Sequence, residues 1–570
     1  MPKPAIDEFR QALKSAMPAL LAAGIFSGAI NLLYLGSPLY LMQVYNRVLV
    51  SGSMPTLVML TLALALALLA MAALDSIRAR ILVRGAMRMD RLLATRLLGA
   101  LIDRGVMANG AMGAQALRDF DQFRMVMSGT SVHVLFDAPW TPLYLGLLFI
   151  IHPLLGATAT LGVIALLALA ALNDRATRAH LDPAQSAAVR AYTLTDSMVR
   201  HADLIRTMDM RLGLAGRWRG DRDLMLASQA QASDIAGSLT ATIRFFRLML
   251  QAVLIAVGAY LAVDHVILPA TIFAASIITS RALAPVEHAV TAWRQFGSAG
   301  QAALRVRQLL AENPEAPART HLPEPDGRVE LDNVVFTPLG SRHPIIPGVS
   351  FSLAPGESLG IVGSSGAGKT TLARLMAGAV PPTSGKIKLG GVDLALWHSD
   401  DLGRHIGYLP DYVGLFAGTI RDNIARFSGV DDAAVVAAAR RAKIHDMVLG
   451  FPDGYETVIT DGGSELSGGQ RQRIGLARAI LGSPRLVILD EPNAHLDSAG
   501  ERALDEVVAD LQDSGITVVV VTHRPNVLAL LDKLLVMSDG SVDMIGPRDE
   551  VVDSLRKKNV RPVAASAVGS

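Results

Sequence analysis

Cysteine is absent from the 570 residues, which excludes disulfides, thiolate metal centres and a cysteine nucleophile without fixing a compartment. Charged residues are also sparse, at 18% against 51% hydrophobic, a balance that leans toward a membrane protein. Net charge of either sign is lacking as well: 53 basic residues face 51 acidic ones, for a formal +2. The basic residues Lys557, Lys558 and Arg561 near the C-terminus do not make a nucleic-acid site, and no nucleic-acid partner is expected. A chain of this length exceeds a single core, so at least two domains are expected.

The apolar residues are concentrated in the first half. Six runs, over residues 17–41, 56–74, 134–151, 154–172, 245–263 and 266–283, approach the roughly 20 residues that a bilayer span needs. Six transmembrane helices in a lipid bilayer are therefore predicted. The first run follows Lys3, Arg10 and Lys14, as a signal peptide would. It is longer than the roughly 7 to 15 residues of a signal core and continues into Tyr40, Leu41 and Met42, so it reads as a span. Nine arginines fall between residues 76 and 133 and nine between 173 and 243, whereas the opposite connections hold only Arg47. By the positive-inside rule both long loops, both termini and everything after the last span are predicted to be cytoplasmic. Within the loops apolar residues recur at helical spacing, as at Leu93, Leu97 and Leu101, so they read as extensions of the membrane helices. Each is expected to reverse in a short segment, one around residues 115–124 and one around 207–217.

Helical pattern continues to about Leu310, then Pro314, Pro317, Pro323 and Pro325 interrupt it, as in a linker. From Val329 strands alternate with helices, the mark of a parallel sheet. Gly363, Ser364, Ser365, Gly366, Ala367, Gly368, Lys369 and Thr370 fit the pattern GxxxxGK[ST], preceded by a short apolar strand and followed by a helix that begins near Thr371. The glycines let backbone N–H groups turn toward phosphate oxygens, the helix start adds positive potential, and Lys369 reaches the outer phosphates. This half is predicted to bind a nucleoside triphosphate. Leu486 to Asp490 reads as a buried strand ending in two carboxylates, Asp490 and Glu491. Val518 to Val521 reads as a second, ending in Thr522 and His523. In an open α/β sheet ligands bind at the carboxyl ends of strands, which brings these groups toward the nucleotide.

Leu466, Ser467, Gly468, Gly469 and Gln470 form LSGGQ, and with the run from Arg471 to Ala479 the chain resembles ATP-binding cassette proteins. That resemblance implies a six-span exporter fold, all α-helical in the membrane, joined to an α/β P-loop nucleotide-binding domain. The expected division is a transmembrane domain over residues 1–312, a linker over 313–328, a cassette over 329–555 and a disordered tail over 556–570. It further implies that Ser467, Gly468 and Gly469 close on ATP held by a second subunit, that Asp490 and the Thr370 hydroxyl hold Mg²⁺, that Glu491 polarises the attacking water and that His523 contacts the γ-phosphate. Asp497 looks like the anchor of a loop touching the other subunit, and the reversals near residues 115–124 and 207–217 like coupling helices. One chain holds one cassette, so a homodimer with two ATP sites is the smallest working unit. Two positions depart from the family pattern. Asp411 stands where glutamine is usual; it can still approach Mg²⁺ but cannot donate a hydrogen bond when ionised, which predicts weaker hydrolysis or coupling. Pro338 stands where a tyrosine often stacks on adenine, and Phe336 either substitutes or belongs to the core.

The stretches from Leu39 to Leu49, from Phe136 to Trp140 and from Thr522 to Pro525 are similar to the inner-membrane ATPases of bacterial type I secretion systems, in the protease and lipase exporter branch. Locally, Asp137 is expected to cap a helix that Pro139 begins, with Trp140 at the membrane interface. The resemblance implies an unfolded polypeptide substrate with an uncleaved C-terminal signal, handed to a periplasmic adaptor and an outer-membrane channel. About sixteen residues precede the first run, leaving no room for the peptidase domain of bacteriocin exporters. Asn31, Tyr34, Tyr40 and Gln43 are candidates to line a polar path, although the small residues around them equally serve close helix packing. A lipid or drug exporter would share every cassette motif, and an ATP-gated membrane protein with weak hydrolysis is a further alternative.

Overall fold

The computed structural model describes residues 8–107, 115–314, 322–338, 340–397 and 399–559. It divides into two compact units, one ending at Pro314 and the other following it in the chain.

The first unit is helical. Six helical stretches are long and apolar enough to cross a membrane: Glu8–Ser51, Met54–Gly105, Thr130–Ile151, Pro153–Arg200, Arg211–Val263 and Pro269–Val286. The first five each contain one of the expected runs, and the sixth overlaps the run 266–283 from Pro269 onward. Four of the underlying helices, Met54–Met107, Pro153–Arg200, Arg211–Val263 and Pro269–Glu312, have 54, 48, 53 and 44 residues. At 1.5 Å per residue each exceeds about 60 Å, twice a hydrocarbon core of about 30 Å, so their polar ends continue into water. The first span is less regular. Helix Glu8–Leu33 breaks at Tyr34 and Leu35, resumes as Gly36–Gln43, widens into a π-turn over Val44–Val48 and stops at Gly52, whose φ of +65° is left-handed.

One of the two loop reversals falls differently from expectation. Residues 115–124 belong to a straight helix, Gln115–Ser128; the preceding residues 108–114 lie outside the described residues. Its Phe120 is buried with Phe9, Leu97, Val306 and Leu310, and Asp119 pairs with Arg305 at 2.6 Å. The second reversal falls within 207–217, at its beginning. Helix Ala202–Thr207 ends in a turn in which Asp209 takes φ +51°, and Arg211 already starts the next long helix.

Asp137 also departs from expectation. It does not cap a helix with its side chain. Its carboxylate instead accepts from Ser27 Oγ, from Asn31 Nδ2 at 3.0 Å and from Arg78 at 3.3 Å. A buried arginine draws the carboxylate inward because an unpaired charge there costs far more than an uncapped amide. Trp140 turns inward too, packing on the core around Tyr144 and Leu148, with Gly28 giving it room: a Cβ there would lie 2.9 Å from the indole.

The second unit is built on a six-stranded sheet. Its strands are β3 (Ser358–Gly363), β6 (Ile406–Leu409), β9 (Leu486–Asp490), β10 (Thr517–Val521), β11 (Lys533–Ser538) and β12 (Ser541–Pro547), ordered β12-β11-β3-β10-β9-β6. All neighbours are parallel except β11 and β12. β9 and β10 are wholly buried, which is why they read as unbroken apolar runs rather than alternating ones. A second, antiparallel sheet joins β1 (Val329–Phe336), β2 (Ile346–Leu353), β4 (Ser384–Leu389) and β5 (Val392–Asp393) in the order β2-β1-β4-β5. Phe336 packs on the core shared by β1, β2 and β3, the structural of its two readings. At the C-terminus the expected disorder begins too early: helix Arg548–Asn559 covers residues 556–559, and 560–570 lie outside the described residues.

Candidate functional site

In the central sheet Val521 of β10 pairs with Ile361 of β3 on one side and Asp490 of β9 on the other. The residues following these three strands therefore leave the same edge of the sheet side by side. They are the glycine-rich loop from Gly363, the pair Asp490 and Glu491, and His523. Sequence positions more than a hundred residues apart become one site through register alone.

The loop is held open for an anion. Gly363 turns away from β3 at φ +157°, and a Cβ there would meet the Met537 carbonyl oxygen at 2.3 Å. Gly368 caps helix Lys369–Met376 in the left-handed conformation, φ +90°. The first N–H groups of that helix, including those of Thr370 and Thr371, have no intrahelical acceptor and are available to an anion. Lys369 is buried and donates from Nζ to the carbonyls of Gly363 at 2.9 Å and Ser364 at 2.8 Å. The ammonium thus spans the loop containing Ser365, Gly366 and Ala367 and leaves one of its three donors uncommitted.

Asp490 is fully buried. Oδ1 accepts from the Thr370 hydroxyl at 3.4 Å, and Oδ2 is buried without any partner. Burial first, with the Asp411 and Glu491 charges, pushes this carboxyl up to about 6, against the Thr370 hydrogen bond and the Lys369 charge. An orphaned carboxylate oxygen beside a threonine hydroxyl is a hard-oxygen donor set, which fits Mg²⁺. Among the described residues no three acidic or histidine side chains cluster closely enough to hold a metal alone. That also suits Mg²⁺, which typically takes one or two carboxylates and completes its shell with phosphate oxygens and water. Asp411, in the exposed segment after β6, is close enough for its charge to act on both Asp490 and Tyr408, whose hydroxyl burial pushes up to about 12.

Glu491 stands one residue past β9 in the left-handed conformation, φ +47°, its N–H bound to the Val521 carbonyl at 2.9 Å. The bend turns its side chain away from the core and brings Oε1 to 3.5 Å from His523 Nε2. The Glu491 carbonyl accepts from Gln472 Nε2 at 3.3 Å. Gln472 is buried on helix Gly468–Ile480, so the signature helix is tied to the backbone of the acidic residue. A glutamine at spacing i, i+3, i+4, i+7 with Gly475, Leu476 and Ala479, on an otherwise apolar face, was the available sequence signal for it. Thr522 and Asn493 form a second unforeseen link: both are buried, and the Thr522 hydroxyl donates to Asn493 Oδ1 at 2.9 Å.

The signature itself starts a helix. Ser467 caps it reciprocally with Gln470, Oγ accepting from the Gln470 N–H at 3.2 Å while Gln470 Oε1 accepts from the Ser467 N–H at 2.8 Å. Gly468 and Gly469 leave space filled by His495: a Cβ on either would lie within 3.0 Å of that residue. Asp497 accepts from the Gly500 N–H at 2.8 Å and caps helix Ser498–Asp513. In a single chain, then, the phosphate loop, Asp490, Glu491 and His523 come together, while Ser467 to Gln470 and Asp497 are engaged within their own helix starts.

A nucleotide cradle on a parallel sheet, a second glycine-rich helix start and six membrane-crossing helices define an ATP-binding cassette exporter, a multi-pass membrane protein that binds ATP. Residues 346–494 match the ABC transporter family. The chain is 39% identical over 545 residues to the type I secretion system ATP-binding protein PrsD of Rhizobium meliloti, covering 95% of this chain and 93% of that one. It is 27% identical over 538 residues to the cyclolysin secretion/processing ATP-binding protein CyaB of Bordetella pertussis, covering 93% of this chain and 75% of the relative. A bacterial Atm1-family ABC exporter with ATP bound superposes at a TM-score of 0.79, covering 99% of this chain and 100% of that structure at 22% identity. The chain belongs to the type I secretion ATP-binding proteins of the ABC transporter family, and it is an ATPase coupled to transport.

Proposed function

We propose that the protein works as a homodimer in the bacterial inner membrane, exporting unfolded polypeptides that carry C-terminal signals. A periplasmic adaptor and an outer-membrane channel receive them. The transmembrane domain covers residues 1–312 and the cassette 329–555, joined by 313–328, with the cassette and both termini on the cytoplasmic side. The reading is carried by the near full-length similarity to PrsD, 39% over 95% of the chain. The signature's own capping box supports the dimer. Ser467 is satisfied at its helix start, and the helix N-terminus it caps is a ready anion site for phosphates bound to a twin chain.

In this reading Lys369 neutralises the outer phosphates while the loop N–H groups hold them. Thr370 and Asp490 hold Mg²⁺, with Asp411 beside them. Bound Mg²⁺ supplies charge neutralisation across the phosphates, which phosphoryl transfer chiefly needs. Glu491 accepts the proton of the attacking water, and His523, 3.5 Å from it, orients that water and the γ-phosphate. Asp497 anchors contact with the second cassette. Reconstitution in liposomes, with candidate secretion signals and simultaneous measurement of hydrolysis and translocation, tests the whole. Stimulation by amphiphiles but not by a secreted protein's C-terminal segment would replace it with lipid or drug export. A second reading, an ATP-gated protein with weak hydrolysis, is favoured by one observation: the Asp411 charge acts on Asp490, where an uncharged glutamine would not. Steady phosphate release that Glu491→Gln abolishes would exclude it.

A further inference from the structure

The membrane unit contains a polar cavity of about 490 Å³, with Asn31, Tyr34, Arg78, His133, Arg281 and Gln295 in its wall. These side chains come from four separate stretches of chain, three of them near the arginine-rich ends of spans. Two arginines in such a place are costly unless compensated. Arg78 is compensated. Only 5% exposed, it donates to Asp75 at 2.6 Å, to Asp137 at 3.3 Å, and lies 3.3 Å from His133 Nδ1. Asp137 Oδ1 in turn accepts from Ser27, Asn31 and Arg78.

Arg281 differs. It sits within the membrane-crossing stretch Pro269–Val286, its guanidinium 3.4 Å above the centroid of the Tyr34 ring. Among the described residues it has no ion pair and no hydrogen-bond acceptor. Stacking occupies the face of a guanidinium and leaves its five N–H donors pointing outward in the plane. The ring therefore covers one side of a guanidinium that also lines the cavity. A planar fork of this kind matches a carboxylate through two parallel hydrogen bonds. The wall also holds polar groups that suit peptide amides, among them the Gln295 carboxamide, whose oxygen accepts from Ser131. The break of the first span at Tyr34 and Leu35 places the ring where it can lie beneath Arg281.

We propose that Arg281, stacked on Tyr34, is a carboxylate-receiving residue on the export path that engages acidic side chains or the terminal carboxylate of the passing polypeptide. The inference rests on polypeptide cargo as proposed above. The cavity volume lies in the range of sites that bury a drug-sized ligand, enough for a short stretch of extended chain. Asp137, which already holds Arg78, disfavours a second anion on that side, which leaves Arg281 as the cavity cation without an ion pair among the described residues.

The test uses the full-length dimer in nanodiscs of phosphatidylcholine. Two fluorescein-labelled peptides of equal length serve as probes, one repeating Gly-Ser-Asp with a free C-terminus and one repeating Gly-Ser-Asn with an amidated C-terminus. Fluorescence anisotropy should show wild type preferring the acidic peptide by about tenfold, the size of one charge-assisted contact. R281Q should abolish the preference and R281K should keep part of it. Y34L, which removes the platform and not the charge, should reduce it and decides the matter if R281Q fails to fold. An undiminished preference in R281Q, or in Y34L where R281Q is unobtainable, overturns the proposal. Equal binding of both peptides by wild type overturns the carboxylate site and leaves polypeptide cargo standing. Binding of neither peptide, with hydrolysis stimulated by phosphatidylglycerol in an Arg281-dependent way, overturns both.

Discussion

Replacing Asp490 with asparagine removes a charge that its surroundings disfavour, so the nucleotide-free protein should gain stability from losing a residue of the ATP site. The carboxyl is raised from 3.8 to about 6, chiefly by burial. At about 1.4 kcal/mol per unit, the ionised form costs the folded state roughly 3 kcal/mol. An amide adds a donor where Oδ2 has no partner, which returns about 1 to 2 kcal/mol of that gain. The net is about 1 to 2 kcal/mol, or roughly 2 to 8 °C in the melting temperature of a domain this size. The sign depends on pH. Below 3.8 both folded and unfolded carboxyls are protonated and no penalty exists; between 3.8 and about 6 it grows; above that it is complete. Differential scanning fluorimetry of the solubilised protein in chelator should therefore show D490N melting higher than wild type near neutral and alkaline pH, with the advantage gone in acid. With Mg²⁺ and ATP the order should invert, because only wild type gains the metal-dependent part of ligand stabilisation. A variant less stable than wild type in chelator at alkaline pH, or a difference that ignores pH, would refute the account of Asp490.

Glu491→Gln preserves the Cβ and the left-handed backbone, so ATP binding and melting temperature should stay near wild type while phosphate release drops by about 100-fold or more; a smaller drop would point to another base. Asp411→Gln should raise the hydrolysis rate or alter its Mg²⁺ dependence, and unchanged kinetics would end the argument from that carboxylate. Gln472→Leu cuts the tie to the Glu491 carbonyl and should lower kcat about fivefold with ATP affinity retained, since one neutral hydrogen bond is worth about 1 kcal/mol; loss of ATP binding instead would show a structural role. Asp137→Ala leaves Arg78 buried with one exposed partner, Asp75, and should destabilise the membrane unit by about 3 kcal/mol or more; D137N, which keeps an acceptor for Ser27 and Asn31, should cost less in the same thermal assay.

How far the chain could be read in advance varied with the range of the interactions. The six spans were legible because apolar length is a local property that the bilayer imposes. The phosphate loop and signature were legible because a handful of consecutive residues must carry all the backbone conformations the chemistry needs. Asp137 was misread as a cap since neighbouring residues favour that role. Ser27, Asn31 and Arg78, which claim its carboxylate, lie far away in sequence. The same holds for Gln472, whose partner Glu491 follows a different strand.

By itself the sequence determined that this protein crosses a membrane, binds a nucleoside triphosphate, and carries the loop, the paired acids and the histidine to do so. Those properties follow from composition and from contiguous motifs, where each residue's neighbours along the chain are its neighbours in space. Only the tertiary structure decided what each side chain meets. Parallel register across β3, β10 and β9 set Glu491 and His523 3.5 Å apart. A break at Tyr34 placed a ring under Arg281, and burial left one oxygen of Asp490 bare. Such pairings depend on packing between distant segments, and no local propensity encodes the distance between them.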